Sequence, residues 1–163
     1  MRNLLTVLFM LAAGAASAQG LSASLAPPWD GVKVPKGQQC RLFGGNGATP
    51  EIILQGLPEG TVWVRVEFND KSYAPLSENG GHGVIGFAVQ GPEAVLPSAP
   101  GMTADLPAGA EVISPARSGG QYASAGYLPP CSGGRGNRYM ADVIALDADG
   151  AELARVPVEL GRY

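Results

Sequence analysis

Residues 61–68 read Thr-Val-Trp-Val-Arg-Val-Glu-Phe and carry the clearest structural pattern in the chain. Every second position holds an apolar side chain, at Val62, Val64, Val66 and Phe68. The charged residues Arg65 and Glu67 lie between them. Because successive side chains of an extended chain point to opposite sides, this alternation predicts a β-strand with one buried face.

Three further segments are predicted to form strands. Residues 84–89 are almost wholly apolar, which is typical of a strand in the centre of a sheet. Residues 139–146 form the next strand, and the Asp-Ala-Asp-Gly sequence at 147–150 predicts a hairpin turn after it. Residues 152–160 would return beside that strand. Pro157 cannot donate a hydrogen bond to a neighbouring strand, so we expect residues 152–160 at a sheet edge.

Composition agrees with a fold built from strands. The 163 residues include 24 Gly and 14 Pro, and 45% are hydrophobic, which favours short strands and many turns. No stretch of ten or more residues has the pattern of an amphipathic helix. Residues 92–126 are rich in Pro, Gly, Ser and Ala and are predicted to have little regular structure. We predict an all-β (mainly β) domain over residues 19–163, arranged as a two-sheet sandwich.

The amino terminus has the features of a cleavable signal peptide over residues 1–18. Arg2 provides a positive charge, residues 4–13 are almost entirely apolar, and Ala16-Ser-Ala18 matches the small-residue cleavage pattern. A retained membrane anchor is the alternative, but the apolar run is shorter than the roughly 20 residues that span a bilayer. We therefore predict an exported protein, either periplasmic or secreted.

The charge balance excludes some classes of partner. The formal charge is -3, and loss of Arg2 with the leader would make it -4. The chain has no run of Lys and Arg, so we expect no binding to nucleic acid or to an anionic membrane surface. No segment after the leader is apolar enough to cross a membrane, so we expect no transmembrane segment in the mature chain.

The two cysteines, Cys40 and Cys131, are far apart in the sequence. An even pair in an oxidising compartment indicates a disulfide bond. Closing a loop of about 90 residues would stabilise the fold by roughly 4 kcal/mol in the chain-entropy model. A metal site is the alternative, but two Cys and His82, the single histidine, offer too few ligands for a known spacing. We expect no metal and no cofactor.

A series of short motifs extends through the chain after the leader. They are LSASLAPPWDG at 21–31, Cys40, Asn46 with Thr49-Pro50, GLPEGT at 56–61, LPAGA at 106–110, Gly126-Tyr127, Pro130-Cys131 and Asn137-Arg138-Tyr139. In this order they resemble the motifs of the phosphatidylethanolamine-binding protein family, and in particular its bacterial, Raf-kinase-inhibitor-like branch. Bacterial members carry cysteines at the matching positions, so the resemblance also implies a bond between Cys40 and Cys131.

The resemblance implies a Greek-key sandwich of two antiparallel sheets with a small anion-binding pocket at one end. Family members generally have a helical segment before their last strand. In this chain the short turn at 147–150 leads directly to a segment that resembles the family's final strand. We therefore predict a C-terminal hairpin in which the family's helix is missing.

The resemblance also assigns pocket positions to individual residues. Asp70 matches a family aspartate, Tyr139 matches a family tyrosine, and Asn137 replaces a family histidine. An ordinary turn aspartate and a core aromatic residue are the alternatives for the first two. Tyr127 and Pro130 are expected to shape one wall. We expect the side chains of Asp70, Asn137 and Tyr139 to lie close together at the end of the sandwich.

His82 is harder to place than the other candidates. An alignment without gaps puts Ile85 at the position of the family's other histidine, three residues after His82. Gly80, Gly81 and Gly83 surround His82, so we expect it on a mobile loop above the pocket, with Ile85 pointing into the pocket. An isoleucine there would favour neutral or weakly polar ligands over phosphate.

Three functions are compatible with these observations. The first is a non-catalytic module that binds a small anionic or polar ligand, or a protein partner, through a degenerate phospho-headgroup pocket. The second is a structural or interaction protein that has lost the pocket. The third is a hydrolase using a serine, His82 and an aspartate. No Gly-x-Ser-x-Gly motif supports the third, and we do not expect an enzyme.

Overall fold

The computed structural model describes residues 20–163, so the predicted signal peptide lies outside the described residues. The described chain is mainly β, as predicted. Its eight strands are β1 (Ser22–Leu25), β2 (Ile52–Gln55), β3 (Trp63–Asp70), β4 (Val84–Ala88), β5 (Glu93–Leu96), β6 (Ala110–Ser114), β7 (Arg138–Leu146) and β8 (Glu152–Arg162). Three 3-10 turns are the helical part of the described chain, at Arg41–Phe43, Ala74–Leu76 and Gly120–Tyr122.

The strands form two antiparallel sheets that pack as a sandwich. The smaller sheet has the order β1-β2-β5 and the larger has the order β6-β4-β3-β7-β8. One hydrophobic core lies between them, with contributions from β2, β3, β4, β7 and β8. Among residues 20–163, no helix is both long and apolar enough to span a membrane.

Strand β3 is the middle strand of the larger sheet, and its inner face carries the buried Val64, Val66 and Phe68. The prediction was wrong at both ends of this strand. It begins at Trp63 and continues to Asp70, and Val62 lies before it with 37% of its surface exposed. The turn at 58–61, closed by a hydrogen bond from the Thr61 N–H to the Pro58 carbonyl (3.2 Å), delays the start of the strand.

The predicted C-terminal hairpin is confirmed. The Asp147 Oδ1 atom accepts the backbone N–H groups of Asp149 (2.9 Å) and Ala151 (2.8 Å), which fixes the turn between β7 and β8. No helix interrupts residues 147–160. Strand β8 lies at the edge of the larger sheet, as Pro157 requires, and β4 lies in its interior, between β3 and β6.

Residues 92–126 are more regular than predicted, because they contain β5 and β6. These strands have four and five residues, too few for a periodic pattern to stand out among Pro, Gly and Ser. Pairing stabilises them instead: β5 lies along β2, with Ile52 opposite Leu96, and β6 lies along β4, with Phe87 opposite Ala110.

The disulfide bond between Cys40 and Cys131 is present, with 5.2 Å between the Cα atoms. It joins the long connection between β1 and β2 to the segment that precedes β7. The backbone N–H of Cys40 also donates to the Pro130 carbonyl at 3.0 Å. The bond therefore fixes the chain on one side of the site described next.

Candidate functional site

A partly open cavity of about 410 Å³ lies at the end of the larger sheet where β3 ends and β7 begins. Four of the residues assigned to the pocket from the sequence line it: Asp70, His82, Asn137 and Tyr139. They come from the end of β3, the loop before β4, the segment before β7 and β7 itself. Its other lining residues include Tyr73, Leu76, Arg117, Tyr122, Leu128, Ser132 and Arg135. The volume falls in the usual range for small-molecule pockets, about 300–1,000 Å³.

Asp70 forms part of the floor of this cavity. It is the last residue of β3, lies opposite Tyr139 of β7, and is only 4% exposed. Its Oδ1 atom accepts the Ser72 backbone N–H (2.9 Å), and its Oδ2 atom accepts a hydrogen from the Asn137 side-chain amide (2.7 Å). Within residues 20–163 Asp70 makes no ion pair. A buried carboxylate is thus held by neutral donors alone.

The expectation of a solvent-exposed His82 was wrong. His82 is 3% exposed, and its backbone N–H donates to the Phe68 carbonyl (2.8 Å) while its own carbonyl accepts from Leu128 (2.8 Å). The glycines beside it allow close packing. A Cβ atom on Gly81 would lie 2.3 Å from the backbone of Leu76, so only glycine fits there.

The ring of His82 has a defined hydrogen-bond pattern. Its Nδ1 atom lies 2.8 Å from the Leu128 carbonyl oxygen, and because a carbonyl can only accept, Nδ1 carries the hydrogen. Burial lowers the pKa of His82, although the Leu128 carbonyl and the Asp70 charge act in the opposite direction. In the neutral ring, which this shift favours, Nε2 has a free lone pair. No residue among 20–163 donates a hydrogen bond to that atom.

Ile85 does not reach the cavity, so its predicted position was also wrong. It is fully buried in the core between the sheets. Ile85 lies directly opposite Val66, and cross-strand partners share one face of a sheet. Because Val66 faces the core, Ile85 must do so too. The loop before β4 carries His82, and the strand itself carries core residues.

Tyr139 and Asn137 complete the floor. Tyr139 is buried, its hydroxyl accepts the Cys131 backbone N–H (3.2 Å), and its ring meets the His82 ring edge to face with 5.3 Å between centroids. Burial raises the pKa of Tyr139 to about 12, so the phenol stays neutral. The Asn137 side-chain amide donates one of its two hydrogens to Asp70. The predicted proximity of Asp70, Asn137 and Tyr139 is what the structure shows.

Tyr127 and Pro130, the other two expected wall residues, do not line the cavity. Tyr127 is buried in the core, where its ring lies 4.6 Å from that of Phe68, and burial raises its pKa. Pro130 is buried, and its carbonyl accepts the Cys40 N–H. Both residues support the segment that carries Leu128 and Cys131, so their contribution is to position the wall.

Sequence reasoning missed two arginines at the solvent side of the cavity. The guanidinium of the exposed Arg117 donates to the carbonyl oxygens of Glu78 (2.7 Å), Asn79 (2.9 Å) and Pro75 (3.3 Å), which ties two loops together. Arg135 is exposed and lies in a run of glycines. The two arginines are 18 positions apart, so no local pattern could have shown that they share a cavity.

The cavity is more positive than the protein as a whole. Asp70 is its single acidic lining residue, against Arg117 and Arg135, whereas the chain has a formal charge of -3. Two lining serines, Ser118 and Ser132, donate their hydroxyl hydrogens to backbone carbonyls at 2.7 Å and 2.6 Å rather than to His82. In the described part of the chain, no group of three or more His, Cys, Asp and Glu side chains could hold a metal ion.

No protein-family model matches the chain, and no curated protein matches it either.

Proposed function

We propose that the chain is an exported, non-catalytic binding module that holds a small polar ligand with negative charge in this cavity. The convergence of Asp70, His82, Asn137 and Tyr139 from separate segments on one open cavity carries the proposal. Buried polar side chains cost stability unless they are satisfied, so a cluster of them beside solvent favours ligand binding over a purely structural role. The resemblance to the phosphatidylethanolamine-binding protein family supports the same reading.

The arginines favour an anionic ligand. Two exposed cations at the entrance of a cavity raise the local concentration of anions and steer them inward. Ile85 had suggested a preference for neutral ligands, but it lies in the core and does not contact the cavity. A ligand anion would therefore find its strongest attraction at Arg117 and Arg135.

The two alternative functions have less support. A structural protein that had lost its site would be expected to fill this end of the sandwich with apolar side chains, whereas four polar residues line the floor. A hydrolase would need a nucleophile activated by a base. Ser118 and Ser132 instead donate to carbonyl groups, so neither has its hydroxyl directed at His82. An exported location is supported by the disulfide bond.

Calorimetry with inorganic phosphate and glycerol 3-phosphate tests the proposal. The variant Arg135→Met removes an entrance cation that makes no described contact with the fold, and Lys36→Met removes an exposed cation that does not line the cavity. We expect binding that weakens as salt is added, about tenfold weaker binding in Arg135→Met, and wild-type binding in Lys36→Met. Anion binding as tight in Arg135→Met as in the wild type would contradict the proposal, and so would a failure to bind either anion together with every carboxylate ligand tested below.

A further inference from the structure

Two of the four floor residues, Asp70 and His82, present only hydrogen-bond acceptors to a ligand. A carboxylate accepts only, and each Asp70 oxygen, which accepts one hydrogen bond from Ser72 or Asn137, can accept another. The Tyr139 hydroxyl also lies close enough to interact with Asp70. In the neutral ring the His82 Nε2 atom is an acceptor, because Nδ1 carries the single ring hydrogen. The Tyr139 hydroxyl can accept as well as donate. A ligand group that fits Asp70 and His82 must therefore bring hydrogens.

The floor also has an uncompensated charge. Asp70 is almost fully buried, yet its partners are a backbone N–H and a side-chain amide, both neutral. Buried charges in proteins are normally paired with an opposite charge, because burial of an isolated ion is costly. The cations of the cavity are on its solvent side, where Arg117 is engaged by three carbonyl groups. The missing positive charge can come from a ligand.

We infer that three of the floor residues, Asp70, His82 and Tyr139, form a primary-ammonium site, and that the ligand is a small amino-acid-like zwitterion. Its ammonium group lies on the floor, and its carboxylate lies toward Arg117 and Arg135. A primary ammonium has three hydrogens and no acceptor, which matches the three acceptors of the floor. The inference rests on the proposed function for the negative group of the ligand, and it adds a positive group that binds the floor.

An anion on the floor would meet the opposite situation. A phosphate or carboxylate there would face the Asp70 charge and the lone pair of His82 Nε2, with the Asn137 amide and the Tyr139 hydroxyl as its nearby donors. The same floor that attracts an ammonium therefore repels an anion. This difference gives the ligand one orientation in the cavity, with its cation inside and its anion outside.

Matched ligands separate the two ends. Calorimetry at pH 7.5 and low salt would compare ω-amino acids of three to six carbons with the carboxylate and the amine of equal length. The protein is expressed as the full chain from Met1 and is used in the form in which it is purified. Asp70→Asn removes the floor charge without changing its shape. Asp149→Asn, in the exposed turn between β7 and β8, removes the same charge away from the cavity.

For at least one chain length, we expect the amino acid to bind about tenfold or more tighter than its carboxylate and its amine, since charge-assisted hydrogen bonds are strong. Asp70→Asn should abolish that advantage and leave carboxylate binding intact, and Asp149→Asn should retain it. Wild-type protein that binds the carboxylates as tightly as the amino acids would overturn the inference and leave the proposed function standing. Binding of none of these ligands, nor of phosphate, would overturn both. The wild-type comparison decides the matter even if Asp70→Asn does not fold.

Discussion

Asn69 and Asp70 are neighbours at the end of β3, and both are buried, with 1% and 4% of their surfaces exposed. The side chain of Asn69 forms its hydrogen bonds with other groups of the protein. Its amide donates to the Glu67 carbonyl (3.1 Å) and to Asp142 (3.2 Å), and its Oδ1 atom accepts from Gly80 (3.0 Å) and Gly81 (3.2 Å). Asp70, on the opposite face of the sheet, lines the cavity and keeps free lone pairs.

The difference teaches that burial alone does not identify a binding residue. Both side chains are polar, buried and adjacent in sequence. Asp70 differs because it lines a cavity and its oxygens can accept further hydrogen bonds. Asn69 has a structural role, because it holds the two glycine N–H groups that place His82. The two residues thus have different roles. Substitution of Asn69 should mainly lower the stability of the fold, and substitution of Asp70 should mainly weaken ligand binding.

The largest stability effect should come from Asn69→Ala. This change leaves the backbone N–H groups of Gly80 and Gly81 without their acceptor, and each buried unsatisfied group costs about 1–3 kcal/mol. We expect a loss of about 3 kcal/mol in the free energy of unfolding, measured by denaturant titration. The exposed Asn46→Ala is the control and should change stability little. A loss below about 1 kcal/mol in Asn69→Ala would show that the loop does not depend on Asn69.

An intermediate effect should come from His82 as the pH falls. Burial lowers its pKa in the folded protein, so below about pH 6.5 the unfolded chain binds a proton that the folded chain refuses. The free energy of unfolding should then fall by up to about 1.4 kcal/mol per pH unit. Asp70 favours the charged imidazole, Arg117 and Arg135 oppose it, and the Tyr139 phenol is neutral.

The measurement is denaturant unfolding between pH 5.5 and 7.5, in the wild type and in His82→Gln. The variant lacks the titrating ring, so the difference between the two curves isolates its contribution. We expect the wild type to lose stability more steeply than the variant below pH 6.5. Parallel curves would mean that the imidazole titrates as freely in the folded protein as in the unfolded chain.

The smallest stability effect should come from Asp70→Asn. The amide keeps the shape of the side chain and one acceptor oxygen, and it removes a buried charge that no cation pairs. We expect a change of about 1 kcal/mol or less in the free energy of unfolding. A loss as large as that of Asn69→Ala would make Asp70 a structural residue and remove the contrast between the two positions.

Much of the fold could be predicted from the sequence, where local pattern and local chemistry agree. Two local patterns allowed prediction, because each lies within a few residues of the chain. They are the alternation around Val64 and Val66 and the Asp-Gly turn at 147–150. Strands β5 and β6 were missed because pairing with distant partners stabilises them. The floor residues Asp70, Asn137 and Tyr139 were found through the family resemblance.

The rest of the site depends on three-dimensional packing. His82 was misplaced because a glycine-rich loop usually indicates exposure, and here the glycines are needed for close packing against Leu76. Arg117 and Arg135 were missed because their proximity arises from two separate loops. Neither fact leaves a local trace in the sequence.

The tautomer of His82 tests the inferred ammonium site most directly, because that site requires a free acceptor on Nε2. The chain has one histidine, so a long-range nitrogen–proton NMR spectrum of the imidazole has a single set of signals to interpret. At pH 7.5 we predict a neutral ring with its hydrogen on Nδ1 and an unprotonated Nε2. A ring protonated on Nε2 at that pH, in either the neutral or the charged form, would contradict the account.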